Sequence, residues 1–98
     1  MSEQYEVDTA KVRRAAAEVQ RIAGEVRALA DTQLRQMQAS VHDSLAGASA
    51  DALSAELTDL SGDIRKIASA LTTVQSTLRA YAAAVEEADR RSAEAMRS

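Results

Sequence analysis

Few residues in this chain can do chemistry, and their spacing excludes most reactions. His42 and Asp43 are adjacent and could form a proton relay, with the carboxylate orienting the imidazole. His42 is the only histidine, so it has no partner for a His-based metal site, and a Ser-His arrangement is not expected either. The two read as a solvated pair in a turn. With no cysteine, disulfides, zinc knuckles and thiol nucleophiles drop out together. Glu86, Glu87 and Asp89 form a small acidic group, but no second carboxylate cluster completes a metal shell. The doublets Arg13-Arg14 and Arg90-Arg91 are too short for a polybasic lipid anchor and read as salt-bridging surface arginines. A formal charge of −3 argues against a nucleic-acid binder, whose footprint is a basic patch. No catalytic residue, metal, cofactor or small-molecule substrate is expected.

The elements that carry these residues are helices. The 98 residues include no Pro, no Trp and no Phe, and Gly occurs three times, so strands joined by tight turns have almost no punctuation. No apolar run approaches the roughly 18 residues of a membrane helix. Residues 1–6 are acidic and lack an apolar centre, unlike a secretory leader. The composition predicts a soluble, Ala-rich, all-α protein whose work is binding.

Helix 1 is predicted over residues 9–41. Asp8 is its N-cap, with Val7 and Val12 as the ends of a hydrophobic staple. Val12, Ala15, Val19, Ile22, Val26 and Leu29 then recur at steps of three and four. Gln33 and Gln36 interrupt that register, and the apolar line resumes, displaced, at Leu34, Met37 and Val41. Residues 42–49 hold Asp43, Ser44 and Gly47 and read as the turn. Helix 2 is predicted over residues 50–96, with Ser49 as its cap.

Along helix 2, Leu53, Leu57, Leu60, Ile64, Ile67, Leu71, Val74, Leu78, Tyr81, Val85 and Ala88 keep an unbroken 4-3 spacing, the signature of a supercoiled partner. Residues 9–41 carry six basic and three acidic side chains, and residues 50–96 carry five and eight, so opposite signs favour an antiparallel hairpin. The expected core of hairpin and dimer is Val19, Ile22, Val26, Leu29, Leu57, Leu60, Ile64, Ile67, Leu71, Val74 and Leu78. Met37 and Met96 are read as gap fillers. One hairpin leaves the flanks of both stripes wet, which predicts a four-helix bundle of two antiparallel hairpins. Helix 2 outruns helix 1 by about 14 residues, a projection of roughly 20 Å that either frays or docks into another protein's groove.

Two helices of these lengths around a small-residue turn, in about 100 residues, resemble the WXG family of type VII secretion proteins, the early-secreted-antigenic-target-like (ESX-like) group. The resemblance covers essentially the whole chain. It is carried by Leu45-Ala46-Gly47-Ala48-Ser49-Ala50-Asp51-Ala52-Leu53, in which Gly47 and the small residues match while Leu45 replaces the family's Trp. The opening Glu6-Val7-Asp8-Thr9, with Val12 and Ala16, is also similar to the family's entry into helix 1. A second family motif, Tyr-x-x-x-Asp/Glu near the C-terminus, is approached by Tyr81, but Val85 holds the acidic position and the carboxylates come at Glu86 and Glu87. Tyr81 otherwise reads as core, and Leu45 either inserts between the helices or contacts the export machinery.

The resemblance implies signal-peptide-independent secretion from a cytoplasmic pool. It also implies pairing with itself or a paralogous hairpin, engagement of an FtsK/SpoIIIE-type ATPase and, in some relatives, carriage of a larger effector such as an LXG toxin. The alternative reading is a chaperone or adaptor coiled coil for a larger secreted effector; a structural coiled coil unrelated to secretion is a third.

Overall fold

The computed structural model describes residues 7–97. Residues 1–6, and with them Glu6 of the family-like opening, lie outside it. Helix α1 spans Thr9–Ala28, a π-helical turn covers Leu29–Gln33, α2 continues over Leu34–Ser44, and α3 runs over Ala48–Arg97. The first three follow one another without a loop as one arm of an antiparallel hairpin, and α3 is the other arm. The molecule is a rod of 77 × 20 × 15 Å.

Its start is built as the sequence predicts. The Asp8 carboxylate accepts from the Lys11 N–H at 3.1 Å, satisfying an otherwise orphaned donor of the first turn. Val7 and Val12 are both half-buried beside it.

The turn is shorter than the predicted residues 42–49. His42, Asp43 and Ser44 stay in α2, where His42 suits the negative end of the helix dipole. Leu45 leaves with extended backbone, and Gly47 takes φ +71°. That left-handed conformation is open to Gly without penalty, so the chain reverses within three residues. Helix α3 therefore starts at Ala48 rather than after a Ser49 cap, and the Gly47 carbonyl accepts from the Asp51 N–H at 3.2 Å.

The interruption at Gln33 and Gln36 has a backbone cause. The Leu34 N–H bonds to the Leu29 carbonyl, five residues back, so the π turn holds one residue more than an α-helix would. Three lines of side chains register that insertion. Val12, Val19 and Val26 step by seven and then by eight to Leu34; Ile22 and Leu29 step by seven and then by eight to Met37. Ala16, Ala23 and Ala30 do the same before Gln38. With one residue absorbed at the π turn, each line runs straight along its arm.

The centre of the hairpin is alanine. Ala16, Ala23 and Ala30 from the first arm are buried, as are Ala68 and Ala82 from α3; Leu34 and Ala50 complete the buried set near the turn. The expected core residues lie beside this axis. Val19, Val26, Leu57, Ile64, Leu71 and Leu78 are half-buried, while Ile22, Leu29, Leu60, Ile67 and Val74 are exposed. A 3.5-residue period draws a stripe several side chains wide, and the two arms place its smallest members on their line of contact because these permit the closest approach of the backbones. Replacing Ala68 with Leu should therefore force the arms apart and lower stability by about 1–3 kcal/mol, read by urea unfolding. An unchanged midpoint would show that the alanine axis is not tightly packed.

Candidate protein-interaction surface

The hairpin has two unlike long faces. On one, polar side chains bridge the arms. The Arg13 guanidinium donates to Glu86 at 2.7 and 3.2 Å, Arg65 donates to Asp31 at 2.6 and 3.0 Å, and Arg79 Nη2 donates to the Gln20 side-chain oxygen at 3.2 Å. Nearer the turn, Gln38 donates to the Ser54 carbonyl at 3.0 Å and to the Thr58 hydroxyl at 2.7 Å.

The other face is apolar. From α3 it presents Leu53, Leu60, Ile67, Val74 and Tyr81, one residue per heptad, all exposed; from the first arm it presents Ile22, Leu29 and Met37. Ile67 at the middle is 54% exposed and Tyr81 at the far end 49%. Near the turn this face opens into a groove of about 680 Å³ between α2 and α3. Met37, Val41, Leu53 and Leu57 form its apolar lining, and Gln33, Gln36 and Ser40 its polar lining.

Helix α3 outruns the first arm. Residues 88–97 are all exposed, yet the helix continues to Arg97 rather than fraying. Ion pairs along the helix sustain it: Glu87 with Arg90 and with Arg91, and Arg90 with Glu94. Met96, read from sequence as a gap filler, is 88% exposed on this projection, and Met37 lines the open groove instead of filling the hairpin.

The residues of the shifted tyrosine motif do not come together. Tyr81 lies on the apolar face, whereas Glu86 faces the first arm and Glu87 turns to the projection's arginines. Hydrogen bonds from Arg13 and then Thr9 hold the Glu86 carboxyl below the usual carboxylate range, and Arg90 followed by Arg91 does the same for Glu87. At the turn, Leu45 does not insert between the helices; its extended backbone carries it outward, and it is exposed beside Gly47.

His42 is not simply a solvated loop residue. Its Nε2 lies 3.0 Å from the Ser54 hydroxyl, a pairing across the turn that the sequence reading missed because the residues are twelve apart and in different helices. The pair is exposed and sits next to the Gln38 bonds, so it acts as a clasp between α2 and α3. Among the described residues no group of three His, Cys, Asp or Glu is placed to hold a metal ion, and no helix is long and apolar enough to cross a membrane.

A one-faced, two-arm helical rod with a glycine turn near its midpoint has a counterpart among known families. Residues 4–90 match the family model described as proteins of 100 residues with WXG. The chain belongs to the WXG100 family. No curated protein and no solved structure matches it significantly. Membership makes the chain a small helical protein associated with type VII secretion, from a family whose members pair with themselves or with paralogues. In this WXG100 chain Leu45 is exposed on the turn beside Gly47.

The Arg13–Glu86 pair ties hairpin closure to pH. Glu86 has a lower pKa folded than unfolded, so its contribution is present above about pH 4.3, where the unfolded carboxylate is also ionised, and is lost as the pH falls through the folded value. Both partners are solvent-accessible, so the effect is small. Glu86→Gln should lower the melting temperature by a few degrees at most at pH 7, and the gap to the parent should narrow as the pH falls below about 4.3. A gap that does not narrow on acidification would assign the loss to something other than this ion pair.

Proposed function

We propose that this protein is a type VII secretion substrate or partner that works by pairing its apolar face with a second hairpin, its own copy or a paralogue, in an antiparallel four-helix bundle. One observation carries the reading. A hairpin whose buried centre is alanine leaves a continuous line from Leu53 to Tyr81, together with Ile22, Leu29 and Met37, exposed on a single face. The α3 line spans about 42 Å. On a rod 20 Å across, the face offers about 800 Å² per copy, the area of a standard stable interface. A row of large apolar side chains exposed continuously along one face marks a site of association.

Pairing accounts for the face, and the projecting end of α3 supplies the second contact. Residues 88–97 stand clear of the hairpin as a preformed helix, suited to docking in a groove of the FtsK/SpoIIIE-type secretion ATPase. Export then proceeds from a cytoplasmic pool.

Two experiments test the two halves. Light scattering on the parent chain should return twice the 10.5 kDa of one copy, and Leu60→Glu with Val74→Glu should return a single copy because two carboxylates at the centre of the face cannot be buried unpaired. A parent chain that elutes as one copy at micromolar concentration would end the self-pairing reading, and failure to bind a co-expressed paralogous hairpin would end the pairing reading as a whole. Removing residues 88–98 should leave the remaining hairpin helical and the number of copies per particle unchanged while abolishing secretion into the medium. Undiminished export of that variant would remove the projection from the mechanism.

A further inference from the structure

We propose that the polar face carries a binding site for a small oxyanion of the phosphate class, free phosphate or a soluble phosphomonoester, held between Arg35 of α2 and Arg65 of α3. The two arginines line a pocket of about 350 Å³ between the arms, backed by the buried Ala30 and Leu34. No described carboxylate lines it, so its walls carry two positive charges in a chain whose net charge is −3. The pocket lies among the polar bridges, away from the apolar line. Pairing through the apolar face leaves it open, and the inference stands or falls apart from that pairing.

The π turn sets the charge of the pocket. In an unbroken α-helix Asp31 would be the i,i+4 neighbour of Arg35 and would neutralise it. With the extra residue in that turn, Asp31 pairs across the hairpin instead, one carboxylate oxygen accepting from both Nε and Nη2 of Arg65. Among the described residues Arg35 has no ion pair or hydrogen bond, and Nη1 of Arg65 is unengaged. Asp31 thus orients Arg65 and offsets part of its charge, while the uncompensated Arg35 is the stronger attractor. Two guanidinium forks suit the several oxygens of a tetrahedral anion. The Ser61 hydroxyl donates to the Ala30 carbonyl at 3.5 Å, a bond long enough to be exchanged for an anion oxygen. The far wall is fixed by Gln38, which donates to Thr58 and to the Ser54 carbonyl. Gly62 completes the lining. Glycine inside a helix is unfavourable beside alanine, yet a Cβ at Gly62 would meet no atom within 4 Å. Packing of the arms therefore does not require it, and the space it leaves belongs to the pocket.

The test follows backbone amide shifts of the full chain by NMR during titration with sodium phosphate, against sodium chloride at equal ionic strength. Phosphate should give saturable shifts centred on residues 30–38 and 58–65, with a dissociation constant in the millimolar range, and chloride should not. Arg35→Ala should weaken binding about fivefold or more, and Arg35→Lys, which keeps the charge and loses the fork, by less. Arg27→Ala, which removes an exposed arginine of α1 outside the pocket, should leave the affinity unchanged. Gly62→Leu should fill the pocket and abolish saturable binding while the melting temperature holds or rises, a split that a purely structural glycine would not give. Shifts that grow linearly, that chloride reproduces, or that Arg27→Ala reduces as much as Arg35→Ala would overturn the site in favour of diffuse surface charge. Undiminished binding by Gly62→Leu would overturn the pocket as its location. Phosphatidic acid vesicles present the same phosphomonoester on a lipid surface. Co-sedimentation with them and not with phosphatidylcholine vesicles, while free phosphate gives no saturable shift, would overturn the soluble anion as ligand.

Discussion

The alanine axis decides the rest of the structure. Two helices meet most closely where their side chains are smallest, and Ala16, Ala23 and Ala30 against Ala68 and Ala82 provide that line. A buried methyl group contributes roughly 0.8 kcal/mol, far less than a fully buried leucine or isoleucine. The hairpin therefore gains intimacy at its centre and little hydrophobic free energy. Among the described residues no large side chain is fully buried. The stabilisation held in Leu60, Ile67 and Val74 is not realised inside a single copy, and the fold is left dependent on whatever covers them.

The polar bridges explain why only one face is left in that condition. Arg13–Glu86, Arg65–Asp31 and the Gln20–Arg79 and Gln38–Ser54 hydrogen bonds all lie on the side opposite the apolar line. Exposed pairs of this kind are individually weak. Their placement matters more than their energy, because a partner on that side would have to desolvate four arginine- or amide-bearing contacts while gaining almost no apolar area. In the pairing proposed above, the cost of this side directs association to the other. The Ser54–His42 and Gln38–Thr58 contacts add a clasp at the turn, where Gly47 lets the arms reverse in the fewest residues.

The helical class, the two arms and the position of the turn were legible in the sequence, because the 4-3 spacing from Leu53 to Ala88 and the Gly47 neighbourhood are strong local signals. Which line of the stripe would lie at the centre was not. Periodicity says that Leu57, Leu60, Ile64 and Ile67 share a side of a helix, but the contact line depends on how closely the backbones approach, and that is settled by alanines with little hydrophobic weight of their own. The displaced line after Leu29 was visible as spacing; its meaning, a single inserted residue, needed the Leu34-to-Leu29 hydrogen bond. The turn looked longer than it is because His42, Asp43 and Ser44 favour turns, yet the dipole and the Ser54 contact keep them helical. The partners of Glu86 and Glu87 depend on long-range register and on helix direction, which no local pattern reports.

The projecting end of α3 follows a different physics from the paired region. Short isolated helices are marginal in water because nucleation is costly. Residues 88–97 escape that cost as the continuation of a helix already formed, and the ion pairs from Glu87 through Arg90 to Glu94 reinforce each added turn. Fixing a residue's backbone costs about 1–2 kcal/mol, so a ten-residue segment that ordered only on docking would surrender much of its binding free energy. Here that ordering is complete before any encounter. Alanines and polar side chains along this stretch keep it from competing for the apolar face. Helix α3 thus carries two unlike surfaces: heptads through Tyr81 with exposed apolar side chains, and a charged, self-supporting rod beyond them.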